Sequence, residues 1–169
     1  HGPCGLLGTI QYDDGRRQEP APLTTPGGPV LFRWLARMRE SGCQSAAMEV
    51  SSHALDQQRP GDLALDAALL TNLGRDHLDY HGDMDAYLAA KQRIFDLLAG
   101  ANRGKPLGVA VVNAADPALR DLSNPHGRTM RFSTDPAVDA DLRVQSAQLD
   151  LQGTRLHLDW RGRDLDLAS

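Results

Sequence analysis

The chain has 169 residues, 41% of them hydrophobic, which is enough for one ordinary core and most simply one domain. Its 18 basic residues stand against 22 acidic ones with no basic run, which argues against nucleic acid as the main partner. Two cysteines, Cys4 and Cys43, predict no disulfide framework. With neither a signal peptide nor an apolar stretch of about 18 residues, we expect a cytoplasmic protein without a membrane span.

Apolar runs and polar turns alternate along the first 127 residues. In chain order they predict a strand at 4–10, a loop at 16–28, a helix at 30–42, a strand at 45–50, a short helix before Pro60, a strand at 64–71, a helix carrying Lys91, a strand at 107–112 and a short helix at 117–122. Strands that alternate with helices favour right-handed βαβ units. The predicted fold class is therefore α/β, with a mostly parallel sheet flanked by helices.

The last forty residues have a different pattern, because apolar and polar residues alternate there. Turns are expected near Gly153 and Gly162. This pattern is typical of an antiparallel meander with one wet face. We expect one domain over 1–169, with an α/β part at 1–127 and an appended antiparallel lobe at 128–169. Both ends interrupt the pattern, so we expect a piece of a longer protein.

Lys91 is a charged residue on the apolar face of the predicted helix that follows the strand at 64–71. The apolar residues of that helix recur at three- and four-residue spacing, and Lys91 falls on their face. One interpretation is that Lys91 lies at the edge of this face and extends its amine to water. The other is a partly desolvated amine with a lowered pKa, which would make it chemically usable.

Three polar clusters follow predicted strands: residues 49–53, residues 72–77 and Asn113. Open parallel sheets bind ligands beyond the carboxyl ends of their strands. A carboxylate, an imidazole and a neutral or modified lysine at one rim would suit a divalent cation that bridges phosphates. Each cluster also has an ordinary explanation: Glu49 pairing with an arginine, the serines capping a helix, and His53 packing.

Four stretches of the sequence stand out, in this order: LTTP, MEVSSHALDQQR, TNLGRDHLDYHGDMDAYLAAKQRIF and VVNAADP. Their residues, order and spacing closely resemble the central domain of the Mur ligase family. The resemblance covers nearly the whole chain, although the final meander resembles the family only in its strand pattern. It is strongest to the enzymes that add the third residue of the peptidoglycan stem peptide. The fold that it implies is a P-loop-NTPase-like central domain.

The resemblance implies a role for each matched position. Thr24, Thr25, Ser51, Gln57 and Arg59 match contacts to the substrate UDP-MurNAc-L-Ala-D-Glu. Three further positions match ligands of Mg²⁺: Glu49, His77, and Lys91 as a carbamate formed with carbon dioxide. Asn113 matches a position near the adenine of ATP. The implied reaction is ATP-dependent formation of an acyl phosphate, which the amine of a diamino acid then converts into an amide.

The chain departs from the family in two respects. The phosphate-binding motif G-x-x-G-K-[ST] is absent, and the nearest stretch, Gly100 to Pro106, has the wrong spacing and a proline in place of the hydroxyl residue. We also expect these 169 residues not to include the carboxy-terminal domain that, in the family, recognises the incoming amino acid. We therefore expect that these residues alone do not catalyse ligation.

Two other functions remain compatible with the sequence. One is a related amide ligase such as folylpolyglutamate synthase, against which MEVSSHAL and DYHGDMDAY argue. The other is a non-catalytic relic that binds a nucleotide sugar or merely folds. The presence of Glu49, His77 and Lys91 together argues against a relic, which has no chemical reason to keep all three.

Overall fold

The computed structural model describes residues 2–99, 108–151 and 153–168. The strands are β1 (Cys4–Leu7), β2 (Gln11–Asp13), β3 (Gln18–Pro20), β4 (Ser45–Met48), β5 (Ala67–Leu70), β6 (Val109–Asn113), β7 (Arg128–Ser133), β8 (Leu142–Asp150), β9 (Gly153–Trp160) and β10 (Arg163–Ala168). The helices are α1 (Gly28–Glu40), α2 (Ser52–Asp56), α3 (Leu78–His81) and α4 (Met84–Gln92), and a 3₁₀ helix covers Arg93–Leu98. None of the described helices is long and apolar enough to cross a membrane.

The described chain divides into two compact units. The first comprises His1–Leu63 and His81–Arg93, and the second comprises Ala64–Tyr80 and Ile94–Ser169. Each unit contains one β-sheet. The predicted mixture of parallel strands and helices, with an antiparallel meander at the end, is confirmed.

The sheet of the first unit has the strand order β3-β2-β1-β4. Strand β1 pairs in parallel with β4, so the two strands have their carboxyl ends at the same edge. Helix α1 packs its buried face on β1, and the core consists of Leu7, Tyr12, Leu31, Trp34 and Met38. Gly5 allows this close approach, because a Cβ atom at Gly5 would lie 2.4 Å from Met38 Sδ.

The sheet of the second unit has the order β10-β9-β8-β7-β6-β5. Strands β5 to β8 pair in parallel, and β8 to β10 pair in antiparallel fashion. Strand β7 lies within the range assigned to the antiparallel lobe, yet it pairs in parallel with β6. The antiparallel pairing thus begins between β8 and β9, because the segments between β6 and β7 and between β7 and β8 each return the chain to the starting edge of the sheet.

Two helix predictions need correction. Residues 117–121 form hydrogen-bonded turns in place of the predicted helix, and Asp116 Oδ1 accepts from the Ala118 N–H at 2.8 Å at their start. The helix that carries Lys91 ends at Gln92 and continues as the 3₁₀ helix. The predicted strand at 107–112 is observed from Val109, and Leu107 lies outside the described residues.

An arginine–aspartate network ties β8 and β9 to the parallel strands of the second unit. Asp141 accepts hydrogen bonds from the Arg131 backbone N–H at 2.8 Å and from Arg161 Nε at 2.9 Å. Asp159 is paired with the Arg143 guanidinium. The pKa of Asp141 is lowered, chiefly by the Arg131 N–H, and that of Asp159 is lowered chiefly by Arg143.

This network predicts that acid destabilises the second unit. Because the folded-state pKa of Asp141 lies below its ordinary value of 3.8, its contribution is complete above that value and is lost as the pH falls through the folded-state pKa. Asp141→Asn is expected to lower the free energy of unfolding near neutral pH and to flatten its decline below about pH 4. Urea unfolding as a function of pH, followed by Trp160 fluorescence in a Trp34→Phe background, measures both effects.

Asp121→Asn is the control for the change in net charge, because Asp121 is an exposed aspartate in the turn segment. If Asp141→Asn and its parent show the same pH dependence, Asp141 does not contribute as described.

Candidate functional site

Thr25 is the centre of a hydrogen-bonded site in the first unit. Its side chain is fully buried, and its Oγ1 donates to the Glu49 carbonyl oxygen at 2.9 Å and accepts from the Ser51 N–H at 3.0 Å. Arg59 Nη1 donates to the Thr25 carbonyl oxygen at 3.0 Å. Four residues predicted from the sequence therefore lie together, where β4 gives way to α2. The Thr25 hydroxyl is fully buried, and its two hydrogen bonds fix the backbone at Glu49 and Ser51.

The Glu49 carboxylate is held by Thr9. Its Oε2 atom accepts from the Thr9 N–H at 3.2 Å and from Thr9 Oγ1 at 2.5 Å. Thr9 Oγ1 also lies 3.2 Å from Thr24 Oγ1. Since the single hydroxyl proton of Thr9 is donated to Glu49, the Thr24 hydroxyl donates to Thr9. The partner of Glu49 is thus a threonine, whereas the sequence suggested an arginine.

The sequence interpretation missed Thr9, although one signal was available. Thr9 follows β1 just as Glu49 follows β4, and these strands pair in parallel. Residues after the carboxyl ends of neighbouring parallel strands meet at one edge. The strand order needed to pair Thr9 with Glu49 comes only from the structure.

Gly8 leaves space for the Glu49 carboxylate. A Cβ atom at Gly8 would lie 3.0 Å from Glu49 Oε1, which is tighter than ordinary contact. Glu49 is an exposed residue, and both Thr9 contacts are made to its other oxygen, Oε2. An exposed carboxylate oxygen in a space kept open by glycine fits a ligand for a hard divalent cation.

Ser51, Gln57 and Arg59 are ordered by helix α2. Ser51 is its N-cap and accepts from the Ala54 N–H at 3.2 Å, so the capping role is confirmed. Arg59 follows the helix, and its Nε donates to Gln57 Oε1 at 2.9 Å. Two hydrogen bonds therefore fix the Arg59 guanidinium, which suits it to binding an anionic group.

Lys91 is half-buried on α4. Its Nζ lies 5.2 Å from the centre of the Tyr87 ring, and burial lowers the pKa of its amine. The interpretation as a partly desolvated amine therefore fits better than full extension into water. His53 also packs, with its ring centre 5.5 Å from that of His81.

Asn113 and His77 lie in the second unit. Asn113 ends β6, donates from Nδ2 to the Thr71 carbonyl oxygen at 2.8 Å and accepts from the Ala115 N–H at 2.9 Å. His77 has a φ of 58°, which is strained for a residue with a side chain. Its N–H donates to Asp76 Oδ1 at 2.8 Å. Strain of this kind often marks a functional loop.

The described residues contain no group of three or more His, Cys, Asp and Glu side chains placed to hold a metal ion. Glu49 belongs to the first unit and His77 to the second, and each is placed by its own neighbours. The Gly100–Pro106 stretch lies outside the described residues.

Comparison with known proteins gives a consistent assignment. Residues 2–169 match the family described as the Mur ligase middle domain. The UDP-N-acetylmuramoyl-L-alanyl-D-glutamate--2,6-diaminopimelate ligase of Geobacter metallireducens is 46% identical over 154 residues, which are 90% of this chain and 30% of that ligase.

Solved structures agree on the fold. A structure of a UDP-N-acetylmuramoyl-L-alanyl-D-glutamate--2,6-diaminopimelate ligase matches 97% of this chain and 33% of its own, with a TM-score of 0.72 and 28% identity. The apo form of L. casei FPGS matches 98% of this chain and 46% of its own, with a TM-score of 0.58 and 15% identity, and this likeness shows the fold alone. The chain spans about a third of the length of the relatives it matches in sequence. It belongs to the Mur ligase family, as a middle domain.

Proposed function

We propose that the chain is part of a cytoplasmic ATP-dependent ligase that adds a diamino acid to UDP-MurNAc-L-Ala-D-Glu during peptidoglycan synthesis. The observation that carries the proposal is the hydrogen-bonded site around Thr25, which joins Glu49, Ser51 and Arg59. These are positions that the family resemblance had singled out. The 46% identity to a ligase named for this substrate supports the same conclusion.

Each predicted residue has a role under this proposal. Arg59, supported by Gln57, binds an anionic group of the uridine substrate, and Thr24 and Ser51 are further contacts to it. Thr25 acts by holding Glu49 and Ser51. Asn113 lies near the adenine of ATP. Glu49 and His77 are each candidate ligands of Mg²⁺, and the carbamate of Lys91 is a candidate ligand of a second Mg²⁺. Bound Mg²⁺ would neutralise charge on the transferring phosphoryl group.

Carbamate formation uses the neutral amine of Lys91. The nitrogen lone pair attacks the carbon of carbon dioxide, the new N–C bond displaces a C=O bonding pair onto oxygen, and the nitrogen loses one proton to water. Because the ammonium must first lose a proton to give this neutral amine, two protons leave in all, and a cation becomes an anion at one position of the chain. The half-buried location of Lys91 favours this reaction, because burial disfavours the ammonium form.

The proposed ligation proceeds in two steps. A carboxylate oxygen of the substrate attacks the γ-phosphorus of ATP, and ADP leaves with the electron pair of the broken P–O bond. The amine of the amino acid then attacks the acyl carbon, loses a proton and displaces phosphate. The residues of this chain contribute by holding the carboxylate-bearing substrate in place. Since the sequence contains no G-x-x-G-K-[ST] motif, we propose that residues elsewhere in the protein bind most of the triphosphate.

A folylpolyglutamate-synthase-like ligase is the second candidate within this fold, and its support is limited to fold similarity at 15% identity. A non-catalytic relic that binds nucleotide sugar is the third. The arrangement of Thr9, Glu49 and Gly8 argues against the relic, since an exposed carboxylate fixed in this manner serves no packing purpose.

The test is a ligation assay on the whole protein encoded by the gene that contains this chain. We expect phosphate release that requires UDP-MurNAc-L-Ala-D-Glu, a diamino acid and ATP together. Phosphate release with a folate and glutamate would support the folylpolyglutamate alternative. The absence of turnover with either substrate set in a folded protein would contradict the ligase proposal.

A further inference from the structure

The loop at residues 21–27 joins β3 to α1 and carries Thr24 and Thr25. At its start the Ala21 N–H donates to the Ile10 carbonyl oxygen at 3.1 Å. Further along, the hydrogen bonds to the hydroxyl and carbonyl oxygens of Thr25 hold the loop a second time. The stretch that includes Thr24 lies between these two fixed points.

Tyr12 holds this stretch from the interior of the first unit. Its side chain is 1% exposed, and its hydroxyl donates a hydrogen bond to the carbonyl oxygen of Leu23, the residue directly before Thr24. The Leu23 side chain is 51% exposed and contributes little packing, and Pro22 has no N–H to donate. The hydrogen bond from Tyr12 therefore fixes the backbone immediately before Thr24.

The Tyr12 hydroxyl is placed on a rigid support. Tyr12 lies on β2 and is paired with Leu7 of β1 on one side and with Glu19 of β3 on the other. Its ring belongs to the core of the first unit and meets Trp34 edge to face, with centres 5.4 Å apart. Burial raises the pKa of Tyr12, so the phenol keeps the proton that it donates to Leu23.

The position of Thr24 determines where a hydrogen-bond acceptor lies in the site. Thr24 Oγ1 is 3.2 Å from Thr9 Oγ1, and Thr9 in turn donates to Glu49. Because the Thr24 proton is used toward Thr9, the Thr24 oxygen can accept a hydrogen bond from an N–H or O–H group of a ligand. Such an acceptor contributes fully to affinity only where its backbone is held in place before the ligand arrives.

We propose that Tyr12 is a positioning residue for the uridine-substrate site: its buried hydroxyl fixes the Leu23 carbonyl and so holds Thr24 in the conformation that contacts the substrate. The inference rests on the proposed function, in which Thr24 contacts UDP-MurNAc-L-Ala-D-Glu. The family resemblance gave no role to Tyr12. Without this hydrogen bond the loop populates other conformations, and the apparent affinity falls by the fraction of chains that remain competent to bind.

Tyr12→Phe is the test variant, because it removes the hydroxyl and keeps the ring against Trp34. Calorimetry with UDP-MurNAc-L-Ala-D-Glu should give a dissociation constant about fivefold higher than that of wild type, the factor that corresponds to the net contribution of one hydrogen bond. In the unliganded chain, ¹⁵N relaxation should give lower backbone order parameters at Leu23 and Thr24 in this variant.

Two further variants separate positioning from a general loss of stability. Leu35→Ala removes a partly buried side chain that packs against the same core, and at equal folded fraction, verified by circular dichroism, it should match wild type in both measurements. Thr24→Val removes the hydroxyl that Tyr12 is proposed to position. In the Thr24→Val background, Tyr12→Phe should raise the dissociation constant no further, since both substitutions act on the same contact.

The possible failures can be told apart. Equal dissociation constants for wild type and Tyr12→Phe would overturn the role of Tyr12 and leave the proposed function intact. A loss of affinity that Leu35→Ala shares, or that persists unchanged in the Thr24→Val background, would assign the effect to general loosening and also overturn the positioning role. Absence of binding by folded wild-type chain would overturn the uridine-substrate site itself, and the role of Tyr12 with it.

Discussion

Replacing Arg59 with alanine is expected to raise the dissociation constant of the chain for UDP-MurNAc-L-Ala-D-Glu by about 10- to 100-fold, the loss typical of one hydrogen bond to a charged group. The Arg59 guanidinium is oriented by the Thr25 carbonyl oxygen and by Gln57 Oε1. These contacts use Nη1 and Nε, and the remaining donors include Nη2. A planar guanidinium that is already held in place loses little conformational entropy when it binds an anion.

Isothermal titration calorimetry measures this effect. Arg59→Lys keeps the charge but not the planar fork, and it should bind more weakly than wild type and more strongly than Arg59→Ala. Arg33→Ala is the matched control, since Arg33 is an exposed arginine on α1. An unchanged dissociation constant for a folded Arg59→Ala chain would remove Arg59 from the site.

Replacing Trp34 with alanine is expected to lower the free energy of unfolding of the first unit by about 3–5 kcal/mol, the usual cost of removing a large buried aromatic side chain. Trp34 is 6% exposed, and its ring meets Tyr12 edge to face with centres 5.4 Å apart. The Arg37 guanidinium lies 3.9 Å above the same ring and pairs with Asp14 at 2.7 Å. The substitution therefore leaves a cavity and also removes a support of this ion pair.

Phe32→Ala on the same helix is the matched control, because the Phe32 side chain is 47% exposed. Its cost should stay below about 1 kcal/mol, as for surface substitutions in general. Urea unfolding followed by far-ultraviolet circular dichroism compares the two variants. Equal losses for Trp34→Ala and Phe32→Ala would contradict the core assigned to the first unit.

The sequence predicts that Ser51 follows a strand, and the structure places it there. Strand β4 ends at Met48, so Glu49, which the predicted strand at 45–50 included, also lies beyond the strand end. For Lys91, spacing predicts a place on an apolar helix face but leaves open whether the amine extends to water or is partly desolvated, and the structure shows it half-buried.

The contacts of Thr9 and His81 were not predictable, because both depend on how elements meet. Thr9 reaches Glu49 only because β1 is the neighbour of β4, and sequence spacing does not specify strand order. His81 reaches Ser52 across 29 residues. The change from α4 to a 3₁₀ helix at Arg93 was missed because six residues are too few to separate a period of 3.0 from one of 3.6.

Titration of the chain with UDP-MurNAc-L-Ala-D-Glu, followed by calorimetry, is the most direct test of the central claim that the first unit holds a uridine-substrate site. UDP-N-acetylglucosamine and a folate are titrated in parallel. We predict saturable one-site binding of UDP-MurNAc-L-Ala-D-Glu, weaker binding of UDP-N-acetylglucosamine, which lacks the peptide carboxylates, and none of the folate. A folded chain that releases no heat with UDP-MurNAc-L-Ala-D-Glu, or that prefers the folate, would contradict the claim.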